Sequence, residues 1–132
     1  MSPPGRDDRK AAGSRGEALA RAHLEANGLE LVAQNWKAPP RPGFGGHGGE
    51  LDLVMRDGDV LVVIEVRTAR AGFAGGAAYT VGPAKRRQIA SLTQRFLLAS
   101  KLRPKALRFD VVALDTVVGG STLHWYRNAF TT

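Results

Sequence analysis

The sequence contains no cysteine and no apolar run of the roughly 18 residues that a membrane span requires. The absence of cysteine excludes disulfide bonds, thiol nucleophiles and cysteine-ligated zinc. Residues 1–16, MSPPGRDDRKAAGSRG, hold no apolar segment, so we expect no secretory signal, and the cytoplasm is the simplest compartment. Nothing in the composition indicates a membrane partner.

Acidic residues are also few: 12 Asp and Glu face 19 Lys and Arg, which gives a net charge of +7. This balance favours a polyanionic partner, most simply nucleic acid, although a generally basic surface has the same composition. With 132 residues and 43% hydrophobic content, the chain is long enough for one core. We expect residues 1–13 to form a disordered tail and residues 14–132 to form a single α/β domain.

The stretch GELDLVMRDGDVLVVIEVR, residues 49–67, predicts two strands joined by a tight turn. The two-residue loop is either Asp57-Gly58 or Gly58-Asp59. In both registers Asp52 and Glu65 lie on the same side of the hairpin, with their stems about 4.5–8 Å apart. Arg67 shares that side, because it lies two residues beyond Glu65.

A glutamate inside the apolar run Val60–Val66 is costly unless it is paired or holds a metal ion. Asp52 and Glu65 converge, and hard divalent cations such as Mg²⁺ or Mn²⁺ are held by one or two carboxylates plus water and phosphate oxygens. The hairpin therefore predicts a metal site on Asp52 and Glu65, with Glu50 as a further ligand. The alternative is a structural ion pair between Glu65 and Arg67.

Two helices and three further strands surround this hairpin. Ser14 and Glu17 have the spacing of a capping box at the start of the first helix, and Gly28 ends it. Pro83 begins the second helix, whose Lys85 and Gln88 face the space above the sheet, whereas Arg87 lies on a face suited to phosphate contact or to solvent. The expected elements are helices over 15–27 and 83–100 and strands over 30–36, 107–114 and 122–128.

Several short motifs occur in order across residues 13–115. They are Gly16-Glu17, Asn35-Trp36-Lys37, Gly49 to Val54 (GELDLV), Ile64 to Arg67 (IEVR), Lys85 to Ile89 (KRRQI) and Arg108 to Val112 (RFDVV). Together they resemble the YraN-like family of bacterial proteins, within the restriction-endonuclease-like superfamily. Asp52 followed by Glu65-Val66-Arg67 resembles the D…(D/E)-x-K signature of that superfamily.

The resemblance implies a three-layer α/β sandwich, with a central mixed sheet flanked by helices. It also implies a metal-dependent endonuclease that cuts DNA in preference to RNA, with branched or damaged DNA as candidate substrates, and it favours a homodimer. Asp52, Glu65 and Arg67 then occupy the catalytic positions. Glu17 takes the place of the helix glutamate that completes the acidic cluster, as an alternative to its capping role. Their positions on the second helix and after the hairpin make Lys85, Arg87, Gln88 and Arg70 the candidates for substrate contact.

The chain departs from the family pattern at two places. Arg67 stands where the family has lysine, and residues 38–48, APPRPGFGGHG, form a longer insertion. A guanidinium stays charged and cannot take up a proton from water. Three outcomes remain open: a slower enzyme, an enzyme in which Lys85 replaces the lysine, or a nucleic-acid-binding module without catalysis. A structural or regulatory protein whose acids pair with arginines is a further alternative.

Overall fold

The structure, a computed structural model, describes residues 6–39, 49–70, 81–117 and 120–131. Most of the 38–48 insertion and of the connection after Arg70 lies outside these residues. Neither helix in the described ranges is long and apolar enough to cross a membrane. The elements in chain order are α1 (Arg6–Ala26), β1 (Glu30–Lys37), β2 (Glu50–Asp57), β3 (Val60–Arg70), α2 (Pro83–Ser100), β4 (Ala106–Val117) and β5 (Gly120–Phe130).

The five strands form one mixed sheet in the order β1-β2-β3-β4-β5. Strands β3 and β4 pair in parallel, and the other neighbours are antiparallel. Parallel neighbours need a crossover connection, and α2 lies within it. The long apolar strand β3 is central, as its composition predicted, and β5 lies at an edge, as predicted.

The helices cover opposite faces of the sheet. Alternate residues of β3 enter two separate cores, with Leu61 and Val63 on the α2 side and Val62 and Ile64 on the α1 side. The α2 core includes Ile89, Leu92 and Phe96, and the α1 core includes Ala20 and Leu24. The helix–sheet–helix layers confirm the α/β fold, which is compatible with a restriction-endonuclease-like sandwich.

The hairpin between β2 and β3 adopts the second of the two expected registers. Asp57 pairs with Val60, so the loop is Gly58-Asp59. Gly58 has a φ of 60°, which only glycine adopts at little cost, and its place at the first loop position suits a tight hairpin. Asp57 remains in the strand, where Arg108 Nη1 donates to its carboxylate at 3.1 Å.

The first helix is longer than predicted. It begins at Arg6 instead of Arg15, so residues 6–13 are helical and not part of a disordered tail. Ser14 and Glu17 therefore lie inside α1, and the capping-box interpretation is wrong. The end of the helix was predicted well: Gly28 has a φ of 93°, and Leu29 N donates to Leu24 O at 3.1 Å.

The aspartate of the RFDVV motif has a structural role, as predicted. Asp110 is fully buried. It accepts hydrogen bonds from the Arg108 guanidinium (3.0 Å from Nε), from Trp125 Nε1 (2.9 Å) and from the backbone N–H of Asn128 (2.9 Å). These bonds compensate the burial of the charge and attach β5 to β4.

Candidate metal and phosphate site

Three carboxylates from two elements converge at one end of the sheet. Glu17 of α1 and Glu50 and Asp52 of β2 each offer an oxygen, and these three oxygens lie within 4.8 Å of one another. All three residues are half-buried. Oxygen donors at this spacing can hold a divalent cation such as Mg²⁺ or Mn²⁺. The cluster thus fits a hard metal ion, and Glu17 joins it as the resemblance implied.

Close packing at Gly16 brings Glu17 to the sheet. A Cβ at Gly16 would collide with Thr68 Cγ2 and lie 3.2 Å from Leu114 Cδ1. Only glycine therefore allows the backbone of α1 to approach β3 and β4 so closely. This explains the Gly-Glu pair: the glycine permits the approach, and the next residue extends its carboxylate to Asp52.

Asn35 of β1 connects two of the acids, and we made no functional assignment for it from the sequence. Its side-chain amide donates to Glu17 Oε2 at 2.7 Å and to Glu50 Oε1 at 3.2 Å. Its φ of 51° is left-handed, a conformation that asparagine tolerates better than most residues. Two sequence signals were present: Asn35 opens the Asn35-Trp36-Lys37 motif, and it lies inside an otherwise strand-forming segment, although strands are poor in asparagine.

The strand opposite Asn35 is also irregular. Leu51 packs in the α2-side core and Leu53 in the α1-side core, although residues two apart on a regular strand share a face. Asp52 lies between them, in the stretch of β2 bounded by the pairs Trp36–Leu51 and Gln34–Leu53. The strand therefore changes face at Asp52. Its acidic neighbours come from opposite sides of the sheet, Glu17 from α1 and Glu65 from the face of β3 that α2 covers.

The surroundings raise the pKa of Asp52 to about 7. Burial is the largest cause, and the negative charge of Glu65 is the next; Glu17 and Glu50 raise the pKa further. A hydrogen bond from Val66 N–H to Asp52 Oδ2, at 2.9 Å, acts in the opposite direction. A carboxylate in this setting is stabilised when a cation shares the site.

Glu65 approaches the cluster from β3 and is paired with a lysine of α2. The β2–β3 pairing extends to Leu53–Ile64, and Asp52 and Glu65 are the next residues along the same register. Lys85 Nζ lies 3.6 Å from Glu65 Oε1, and the Glu65 side chain is only 13% exposed. A second lysine, Lys37, lies 4.0 Å from Glu50 Oε2 but is 75% exposed.

The other residues predicted for the site surround this centre. Arg67 is half-buried on β3, two residues beyond Glu65. Gln88 lies against the backbone of Gly49. A Cβ on Gly49 would collide with the side-chain amide of Gln88, and the φ of Gly49 is 58°. Arg87 is exposed on α2, whereas Arg86 Nε donates to Val81 O at 2.7 Å. Arg70 ends β3, and its side chain lies outside the described residues.

The fold and the site define an α/β protein that carries a carboxylate cluster able to hold a metal ion beside basic side chains. Residues 16–114 match the model of the "Uncharacterised protein family UPF0102". The chain belongs to that family, which confirms the family predicted from its motifs.

Relatives match over nearly the whole chain. A "UPF0102 protein" of Acidovorax sp. (strain JS42) is 43% identical over 130 residues, covering 98% of this chain and 90% of the relative. One from Ectopseudomonas mendocina (strain ymp) is 43% identical over 119 residues, covering 89% and 92%. A third, from Alkalilimnicola ehrlichii, is 41% identical over 120 residues, covering 90% and 86%.

Proposed function

We propose that the protein is a metal-dependent endonuclease that hydrolyses phosphodiester bonds in DNA. The observation that carries the proposal is the convergence of Glu17, Glu50 and Asp52 next to the Glu65–Lys85 pair. Burial, and then the negative charges of the neighbouring carboxylates, raise the pKa of Asp52, so grouping these acids is unfavourable, and the sheet does not need the arrangement. Such groups are typical of functional sites.

Glu17, Glu50 and Asp52 would hold Mg²⁺ or Mn²⁺, with Glu65 beside them. The ion, when bound, supplies Lewis-acid stabilisation of the scissile phosphate and activation of water. In the reaction the water oxygen bonds to phosphorus, one phosphorus–oxygen ester bond breaks, and the released oxygen gains a proton while water loses one. The protein positions the acids, and basic side chains stabilise the charge that grows on the phosphate oxygens.

The second candidate is a nucleic-acid-binding module without catalysis. Two observations favour it: position 67 holds arginine, and the chain carries a net charge of +7. The same basic residues would then bind phosphates, and the acids would have no reaction to perform.

The test is cleavage of a labelled panel of single-stranded, duplex, flap and four-way-junction DNA, plus RNA, with Mg²⁺, Mn²⁺ or EDTA. The Asp52→Asn and Glu65→Gln variants keep the shape of the side chain and remove its charge. Glu30→Gln, at an exposed glutamate of β1, is the matched control. We expect metal-dependent cleavage of DNA by the native protein and the control, and at least about a 100-fold loss in the two site variants.

Each other result contradicts the proposed activity or its site. If the native protein binds DNA at low salt but never cleaves it, the binding module is the remaining candidate. A protein that neither cleaves nor binds would exclude both candidates. Cleavage that survives in both site variants would place the reaction elsewhere in the molecule.

A further inference from the structure

We infer that Lys85 supplies the amine that contacts the scissile phosphate, in place of position 67, which holds Arg67. The inference rests on the proposed nuclease function and assigns a specific residue of α2 to it. Its basis is the position of Lys85 Nζ, 3.6 Å from the Glu65 carboxylate that borders the acidic cluster.

Lys85 is held over the site by the packing of α2. It lies one helical turn before Ile89 and therefore on the same face, which is buried against the sheet with Leu92 and Phe96. The Gln88–Gly49 contact fixes the same turn of the helix over the start of β2. Lys85 is 38% exposed, so solvent still reaches a charge that faces the acids.

Helix formation gives no reason for a lysine at this position. Cations are disfavoured in the first turn of a helix, where the helix dipole is positive. Helix α2, which begins at Pro83, nevertheless carries Lys85, Arg86 and Arg87 in its first two turns. Its first turn contains no acidic residue. The charge of Lys85 is better explained by the groups that it faces. These are the Glu65 carboxylate and, in the proposed complex with DNA, a phosphate.

The two lysines near the acids differ in how firmly they are held. Lys37 lies on the edge strand β1, 75% exposed and 4.0 Å from Glu50, so solvent screens most of its interaction. Lys85 is closer to its partner and half as exposed. An ammonium is a compact charge with three donors, so Lys85 can contact the Glu65 carboxylate and a non-bridging phosphate oxygen at once.

A lysine at position 67 would reach the same place from the sheet. Residue 67 lies two positions beyond Glu65 on β3 and therefore shares its face. A guanidinium is larger and planar and matches phosphate in a bidentate manner, so Arg67 would not reproduce the contact of an ammonium. A lysine at either position 67 or position 85 could consequently supply the amine that contacts the phosphate.

The experiment compares Lys85→Ala, its control Lys37→Ala, and Lys85→Ala combined with Arg67→Lys. Single-turnover cleavage of the preferred DNA is measured with Mn²⁺, and Mn²⁺ affinity is measured by calorimetry without DNA. Thermal unfolding verifies that each variant is folded. We expect Lys85→Ala to cleave about 100-fold more slowly with undiminished Mn²⁺ affinity, Lys37→Ala to stay within about threefold of the native rate, and the double variant to recover at least about tenfold.

Three results would overturn the inference. The first is native-like cleavage by Lys85→Ala. The second is a parallel loss of Mn²⁺ affinity, which would make Lys85 a structural partner of Glu65. The third is a double variant that recovers nothing. An inert native protein would instead refute the nuclease function itself, so the two failures are distinguishable.

Discussion

At the scale of single residues, Asp52 has the most unusual environment in the described part of the chain. With a pKa of about 7, it holds a proton at pH values where an ordinary aspartate is fully ionised. Burial and the charges of Glu65, Glu17 and Glu50 all oppose ionisation, and one backbone hydrogen bond from Val66 favours it. A bound cation would favour the carboxylate, so metal binding near pH 7 is expected to release protons.

The shifted pKa predicts how stability depends on pH. The folded pKa of Asp52 lies above its unfolded value of 3.8, so between these values the folded state holds more protons than the unfolded state. Its contribution is complete below pH 3.8 and is lost as the pH rises through 7. In Asp52→Asn the amide oxygen can still accept from Val66 N–H, and there is no charge to bury. In EDTA, we expect this variant to gain little melting temperature at pH 4 and on the order of 5 °C at pH 8.5.

The measurement is thermal unfolding followed by circular dichroism across that pH range. A gain in melting temperature that is the same at every pH would contradict the assignment. The Glu30→Gln variant should show no such dependence, because Glu30 is exposed. Added Mn²⁺ should raise the melting temperature of the native protein and not that of Asp52→Asn.

The sequence predicted part of this site and not the rest, for identifiable physical reasons. The partnership of Asp52 and Glu65 followed from strand periodicity and a short loop, both of which are local. The capping interpretation of Glu17 failed because the helix begins earlier. Asn35 was missed because its role depends on a left-handed backbone and on contacts to two distant elements.

At the scale of elements, apolar periodicity and punctuation by proline and glycine predicted most of the structure. The bounds of α2 were correct because Pro83 begins it and its core stripe is regular. The start of α1 was wrong because residues 6–13 have no apolar face, although arginine, lysine and alanine are good helix formers. Composition suggested a tail where intrinsic propensity extends the helix.

The attachment of β5 to β4 depends on Asp110, and this gives a stability prediction. In Asp110→Ala, the partly buried Arg108 guanidinium, the Trp125 N–H and the Asn128 N–H all lose an acceptor. We expect the free energy of unfolding to fall by about 3–5 kcal/mol. Asp59→Ala, which breaks the exposed pair with Lys105, should change it by less than about 1 kcal/mol.

Urea denaturation of both variants measures the difference. A loss below about 1 kcal/mol in Asp110→Ala would mean that the buried network contributes no more than an exposed pair.

At the scale of the whole molecule, the chain carries a net charge of +7, whereas the cluster of Glu17, Glu50 and Asp52 is a local centre of negative charge. A nucleic acid would be attracted by the surface as a whole, whereas a divalent cation would be attracted only by the cluster. The two interactions therefore respond differently to salt, since screening weakens exposed charges much more than partly buried ones.

We predict that DNA binding in EDTA weakens steeply with salt. Neutralising about five phosphates gives a slope of about −4.5 in a plot of log affinity against log salt concentration. Arg87→Ala should reduce the magnitude of the slope by about one, because the proposed interface assigns one phosphate contact to Arg87. Lys105→Ala, at the hairpin end of the sheet beside Asp59, should leave it unchanged.

Fluorescence anisotropy with a labelled duplex between 50 and 400 mM salt gives both slopes. Equal slopes for the two variants would show that the DNA does not run past α2. Binding independent of salt would argue against a phosphate-contacting surface altogether.

The parallel pairing of β3 with β4 also governs the order in which the chain assembles. Helix α1 and the antiparallel strands β2 and β3 carry all four acids within the first 70 residues, whereas Val60 pairs with Ala106, which follows α2. Non-local parallel pairing is slow, and until it occurs one edge of an apolar strand is open to other chains. During synthesis the strands that carry Glu50, Asp52 and Glu65 are therefore complete before β4 covers the open edge of β3, and aggregation of nascent chains is the hazard that this topology carries.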